Sequence, residues 1–163
     1  MVLMHWTVVD SPVGPLSLAA DEVGVCGLRF GAVPGVESVA PTGALAAAVE
    51  QLASYFAGTR TDFDLPLSVR RGSEFERAVW RRMSTIPYGE TETYGEVAAV
   101  VGDPGAARAV GVACNRNPIA IIVPCHRIVG AGGKLVGFGG GLPTKRFLLE
   151  LEAGNAWQRA WAT

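Results

Sequence analysis

Two boxes of the form Ser/Thr-x-x-Glu, Ser73-Glu74-Phe75-Glu76 and Thr93-Tyr94-Gly95-Glu96, constrain this chain more than any other local feature. In each, the hydroxyl accepts from the backbone N–H three residues on while the glutamate reaches back, so both mark helix starts. The first opens a helix through about Met83, with Phe75, Val79 and Trp80 on one face, ended by Ile86-Pro87-Tyr88-Gly89. The second opens a helix through Val101 that Gly102 closes. Asp103 then caps a third helix, with Pro104 at its first position and Ala106 to Ala113 as its body. Two short helices across a Gly-Asp turn, between Thr93 and Arg116, are arranged like a DNA-binding helix-turn-helix. The third helix exposes small residues, Gly105, Ala106, Ala107, Ala109, Gly111 and Ala113, around one long basic side chain, Arg108.

The first half follows a different rhythm. Trp6–Val9, Leu16–Ala20 and Val25–Phe30 are short apolar runs separated by Asp10-Ser11-Pro12-Val13-Gly14-Pro15 and Asp21-Glu22-Val23-Gly24, which predicts a three-strand antiparallel meander. An Ala-rich helix over 44–56 follows, with Leu45, Val49, Leu52 and Phe56 at helical spacing, and Asp62 to Val69 adds a further strand. Arg70-Arg71-Gly72 is the boundary. The expected fold is α+β: a small sheet-plus-helix domain over residues 1–70 and a mainly helical domain with the helix-turn-helix over residues 71–163. A last helix from about Thr144 to Glu152 is stopped by Gly154.

Charge and cysteine usage narrow the function. Residues 1–70 carry three arginines against seven carboxylates, and residues 71–163 carry eleven basic residues against eight acidic ones, the asymmetry that either a DNA-facing C-terminal domain or a solvated basic surface would show. No apolar run approaches the roughly 20 residues of a membrane span and no signal peptide is evident, which predicts a cytoplasmic protein. Cys26, Cys114 and Cys125 include no close-spaced pair, so neither a disulfide framework nor a zinc ribbon is expected. His5 and Cys26 are too few for a four-ligand metal site in the first domain, and no metal or cofactor is expected.

Pro124-Cys125-His126-Arg127 sets a thiol beside an imidazole directly after Ile119-Ala120-Ile121-Ile122-Val123, which reads as a buried strand. A thiol at its ordinary pKa is only a few per cent ionised at neutral pH, so a nucleophilic cysteine needs a base or cation beside it. Adjacent residues on an extended strand point to opposite sides, so contact between Cys125 and His126 requires a turn, which Pro124 can provide, or a bridging water.

Pro124-Cys125-His126-Arg127-Ile128-Val129, with Arg108-Ala109-Val110-Gly111, Asn117-Pro118, Ile86-Pro87-Tyr88-Gly89 and Gly139-Gly140-Gly141 before Leu148-Leu149, resembles the active-site region of the O6-alkylguanine-DNA alkyltransferases. The resemblance implies direct-reversal DNA repair. Cys125 would take the alkyl group from O6-alkylguanine, or from O4-alkylthymine, once and irreversibly. It implies His126 as base through a water, Glu152 as the group orienting the imidazole, Asn117 as brace of the turn, and Tyr94 as donor to the leaving guanine. Arg108 would fill the gap left by a flipped base, with Ala106, Ala107, Ala109 and Gly111 against the minor-groove backbone. Cys114, Leu135, Phe138, Gly139 and Gly140 would line the alkylguanine pocket, Phe138 standing where many members carry tyrosine. The implied partner is double-stranded DNA bearing O6-alkylguanine, with no membrane, no obligate protein partner and a monomeric chain. Two alternatives remain open. One is a non-catalytic alkyl-DNA sensor of the same fold, whose members lack the cysteine; the other is a Cys-His hydrolase, which would turn over and need an oxyanion hole.

Overall fold

A computed structural model of the chain describes residues 4–161. It comprises two compact units. One runs to Arg70 and takes in the segment Pro118–Ile122; the other comprises Arg71–Asn117 and the chain from Val123 onward. Among the described residues no helix is long and apolar enough to cross a membrane.

In the first unit, β1 (His5–Val9), β2 (Leu16–Ala20) and β3 (Val25–Phe30) form an antiparallel meander in that order. Register is set by the turns. Ser11 Oγ accepts from Val13 N at 3.1 Å and donates to Gly14 O at 2.6 Å, and Asp21 Oδ1 accepts from the amides of Val23 and Gly24 at 2.8 and 3.1 Å. All five residues of the central strand are buried. Helix α1 (Gly43–Phe56) buries Leu45, Ala48, Leu52 and Tyr55 and packs on β2 and β3. Each of the two leucines removed from water contributes about 1.5–3 kcal/mol. The strand expected over Asp62–Val69 is reduced to one bridge, Leu67 to Val25. Pro66 carries no N–H to extend a ladder, and its carbonyl, which accepts from Val25 N at 2.8 Å, would lie 2.2 Å from a Cβ at Gly24, so only glycine permits the approach.

In the second unit, both boxes cap their helices as the sequence predicts. Ser73 Oγ accepts from Glu76 N at 3.1 Å and Glu76 Oε1 from Ser73 N at 2.9 Å, opening α2 (Glu74–Met83). Thr93 Oγ1 and Glu96 Oε1 make the same exchange at 3.1 and 3.0 Å, opening α3 (Tyr94–Val100). With α4 (Ala107–Asn115) these helices pack pairwise around Val79, Trp80, Met83, Val97, Val110 and Ala113. The buried indole of Trp80 donates to Ala113 O at 2.8 Å, so its polar atom is not stranded. Two short strands, β4 (Glu92–Thr93) and β5 (Ile128–Val129), pair in parallel.

Two helix boundaries differ from expectation. Asp103 does not cap α4; its Oδ1 accepts from Gly105 N at 2.9 Å and its carbonyl from Ala106 N at 3.0 Å, closing a β-turn with Pro104 at the second position, where its fixed φ fits. The helix begins after that turn, at Ala107, and Ala113, expected on the exposed face, is core. The last helix, α5 (Leu142–Trp161), runs through Gly154 instead of stopping there. A glycine inside a helix costs about 1 kcal/mol. Asn155, whose Nδ2 donates to Tyr88 Oη at 3.0 Å, and Ala156, packed on Gly89, hold the second half of α5 in place.

Candidate active site

The apolar run before the cysteine is not a strand. Ile119 alone pairs, with Leu28, and the chain then turns. Ile122 N donates to Ala120 O at 2.8 Å around Ile121, whose φ is +69°, a γ-turn with a β-branched residue in the left-handed region. Cys125 N donates to Val123 O at 2.9 Å around Pro124, at φ −83° and ψ 70°, an inverse γ-turn. Burial on all sides made this segment resemble a strand, since a continuous apolar run carries no periodicity. Asn117 Nδ2 donates to Val123 O at 2.7 Å and so ties the end of α4 to the turn that presents the cysteine.

Cys125, His126 and Arg127 form one 3-10 turn, all buried. In such a turn neighbouring side chains diverge by about 120°, where an extended chain would set them on opposite faces. His126 Nε2 lies 2.7 Å from Glu152 Oε2, and the ring is fully buried. Its Nδ1 has no hydrogen-bond partner among the described residues. Glu152 also accepts from Arg127: Nε to Oε1 at 2.8 Å and Nη2 to Oε2 at 3.1 Å. Burial works to raise the Glu152 carboxyl, but the bonds and charges of His126 and Arg127 outweigh it and hold it down at about 2, so it is a carboxylate.

Burial pushes the Cys125 thiol up, against the Asn117 amide and the Lys145 ammonium, which pull it down. It lowers the pKa of His126, where Glu152 opposes the shift and Arg127 and Lys145 reinforce it. These directions leave a thiol beside a neutral imidazole, an arrangement able to pass a proton from sulfur to nitrogen.

Tyr94, first residue of α3, donates its hydroxyl to Val136 O at 3.2 Å and is pushed up to about 12, chiefly by burial with the Cys114 and Cys125 sulfurs adding to it. It remains a protonated donor at neutral pH. Lys145 is buried beside it: Nζ donates to Ile128 O at 2.6 Å, Val136 O at 3.2 Å and Tyr94 Oη at 3.5 Å, and lies 5.7 and 5.9 Å from the rings of Tyr94 and Phe138. Cys114 is buried, its thiol raised to about 12 chiefly by burial, with the neighbouring Cys125 sulfur adding to it.

Sequence reasoning gave Arg127 and Lys145 no role. A signal for Lys145 exists, since α5 buries Lys145, Leu148 and Glu152, one helical face read from Leu148 in both directions.

Arg108 and Ala109 are exposed on α4, and Ala106, Ala107 and Gly111 are half-buried. A cavity of about 470 Å³ is lined by Tyr94, Ala107, Arg108, Gly111, Val112, Asn115, Val136 and Gly137. It joins the helix expected to meet DNA to the tyrosine expected to meet the base. Phe138 is drawn to it through Lys145 and Val136; Leu135, Gly139 and Gly140 lie along the same loop without lining it. Among the described residues no group of three or more His, Cys, Asp or Glu could hold a metal ion.

Two family models match the chain: the 6-O-methylguanine DNA methyltransferase ribonuclease-like domain over residues 4–69, and the 6-O-methylguanine DNA methyltransferase DNA binding domain over residues 74–154. It is 53% identical over 156 residues to a methylated-DNA-protein-cysteine methyltransferase of Mycolicibacterium paratuberculosis, covering 92% of this chain and 93% of that one. The corresponding protein of Methanosarcina acetivorans is 47% identical over 156 residues, covering 91% and 98%. Among solved structures, Mycobacterium tuberculosis OGT in complex with DNA superposes with a TM-score of 0.84 at 51% identity, covering 93% of this chain and 94% of that chain.

Proposed function

The chain belongs to the 6-O-methylguanine DNA methyltransferase family, and we propose that Cys125 is the residue on which it receives the alkyl group. Its activity is DNA repair by transfer of an alkyl group from the damaged base to a cysteine of the protein. The observation that carries the assignment to Cys125 is the arrangement on its turn. A buried thiol is followed by an imidazole whose Nε2 is held by a carboxylate and whose Nδ1 is free.

The Cys125 proton passes to His126 Nδ1, through a bridging water because the two side chains share no direct hydrogen bond. Sulfur attacks the alkyl carbon; the S–C bond forms as the C–O6 bond breaks, and the electron pair leaves with guanine. The imidazolium formed is balanced by Glu152, 2.7 Å away. Tyr94 turns its hydroxyl from Val136 O to the guanine edge, where it donates to the developing charge, with Lys145 supporting its oxygen. A thioether offers no easy return to thiol, so each molecule acts once. Asn117 keeps the turn in place through the Val123 carbonyl.

The reactive atom lies inside the duplex stack, and flipping its nucleotide costs a few kcal/mol. Arg108 on the exposed face of α4 fills the vacated space, while Ala106, Ala107, Ala109 and Gly111 let the helix approach the minor-groove backbone. The flipped base enters beside Tyr94, with Val136 and Gly137 on the cavity wall, Leu135, Phe138, Gly139 and Gly140 on the same loop, and Cys114 buried near the end of α4. All these residues come from one chain, which supports a monomer acting on double-stranded DNA. A thiol that must stay reduced suits the cytoplasm.

The test is intact mass after incubation with a duplex carrying one O6-methylguanine, followed by peptide mapping. One methylene gained per molecule, on Cys125, is the expected result, and Cys125→Ser should abolish the gain while still binding the duplex. Retained transfer in Cys125→Ser would overturn the assignment; repeated turnover without mass gain would indicate a hydrolase.

A further inference from the structure

The Ile86-Pro87-Tyr88-Gly89 turn takes no part in the steps above, yet it surrounds a charged side chain that the reaction does not touch. Arg127 Nη1 donates to Ile86 O at 2.7 Å, and its guanidinium lies 5.7 Å from the ring of Tyr88. Ile86 N is in turn fixed to Met83 O at the end of α2, and Tyr88 Oη accepts from Asn155 on α5. The remaining face of the guanidinium meets Glu152 with two bonds, one to each carboxylate oxygen.

We propose that Arg127 is a positioning residue for proton transfer: its fork fixes the plane of the Glu152 carboxylate so that Oε2 holds His126 by Nε2 and leaves Nδ1 to take the thiol proton. This rests on the reading of His126 as the base. A carboxylate held by His126 alone could rotate about its terminal bond. Two parallel N–H donors remove that freedom, and a lysine, with one point charge, cannot reproduce them. Arg127 has a second effect through its charge. The groups bearing on His126 are Glu152 and Lys145 from α5, with Arg127 and Cys125 from its own turn, while α2, packed on the same turn, buries Val79, Trp80 and Met83. Glu152 favours the imidazolium and Arg127 and Lys145 oppose it. Burial does most to keep the imidazole neutral, and the Arg127 guanidinium, next in the chain and bonded to the same carboxylate, adds to it until the thiol proton arrives.

The experiment is the pH dependence of single-turnover methyl transfer from O6-methylguanine duplex by the full chain, its Arg127→Lys and Arg127→Met variants, and His126→Gln. Arg127→Lys keeps the charge and loses the fork, so the plateau rate should fall about tenfold to a hundredfold with the acid limb in place. Arg127→Met loses both, so the plateau should fall and the acid limb should move to higher pH. An unchanged plateau in Arg127→Lys overturns the positioning role, and this variant decides alone if Arg127→Met does not fold. An acid limb in folded Arg127→Met that stays at the wild-type pH, however low the plateau, overturns the electrostatic half. If His126→Gln loses the limb and the Arg127 variants behave like wild type, only the Arg127 assignment falls. If His126→Gln keeps the wild-type limb, the base assignment fails and the proposal with it.

Discussion

Gly89→Ala tests whether the turn behind Arg127 is as tightly fitted as its geometry states. Gly89 has φ +83°, and a Cβ there would lie 2.7 Å from Ala156 Cβ and 3.5 Å from Glu152 O. An alanine in the left-handed region costs about 1–2 kcal/mol. Forcing a methyl into a contact about 1 Å too short adds about 1–3 kcal/mol of overpacking. Reduced freedom of the unfolded chain returns about 0.4–1 kcal/mol. The net loss should be about 2–3 kcal/mol, read as a drop in urea midpoint, or as a melting temperature lowered by about 2–4 °C for each kcal/mol in a chain of this size. Because the methyl presses on α5 one turn after Glu152, methyl transfer should slow as well. The contact portion can be separated. Ala156→Gly alone should cost about 1 kcal/mol through helix propensity, but in the Gly89→Ala background it removes the clash, so the double-mutant cycle should give a coupling of about 1–2 kcal/mol. A Gly89→Ala midpoint within 0.5 kcal/mol of wild type, or a coupling indistinguishable from zero, would refute the argument from the 2.7 Å contact.

Glu152→Gln removes a carboxylate whose pKa is held at about 2, below its ordinary value of 4.5. That depression contributes about 3 kcal/mol of stability, fully present above pH 4.5 and lost as pH falls through 2. Urea midpoints should therefore show a wild-type advantage of about 3–5 kcal/mol at pH 7, where the variant strands Arg127, narrowing steadily toward pH 2; a constant gap across that range would sink the linkage. Arg108→Ala should slow repair of an O6-methylguanine duplex on the order of tenfold while leaving reaction with the free base near wild type, since only the duplex requires flipping. Equal losses on both substrates would remove the role.

The elements legible in the sequence are those whose signal is local. The boxes at Ser73 and Thr93 need only the residues inside them, and the meander needs only its turn residues, so both could be read directly. Ile119–Val123 could not. Its shape is imposed by Asn117 reaching Val123 O and by two three-residue turns; Pro124 announces the second of them, but the first, around Ile121, leaves no compositional trace. Gly154 misled because its cost of about 1 kcal/mol is local while the contacts that outweigh it, at Tyr88 and Gly89, lie far along the chain. In the site, Cys125, His126 and Glu152 could be paired by resemblance, and the structure brings His126 and Glu152 within 2.7 Å. Arg127 and Lys145 stayed hidden because charged residues are usually solvated, and partners far along the chain make their burial tolerable: the Glu152 carboxylate and the Ile86 carbonyl for Arg127, the Ile128 and Val136 carbonyls for Lys145.

The segment Pro118–Ile122 is stitched into the first unit while the residues on either side of it belong to the second. Ile119 bridges to Leu28, and Leu28 N donates to Pro118 O at 3.0 Å. A backbone severed between Arg70 and Gly72 would thus give two pieces that are complements and not modules: the longer one carries off the stretch that completes the edge of the shorter one's sheet. In a chain split at that junction, the N-terminal piece should regain the edge beside Leu28 only on meeting the piece that carries Cys125.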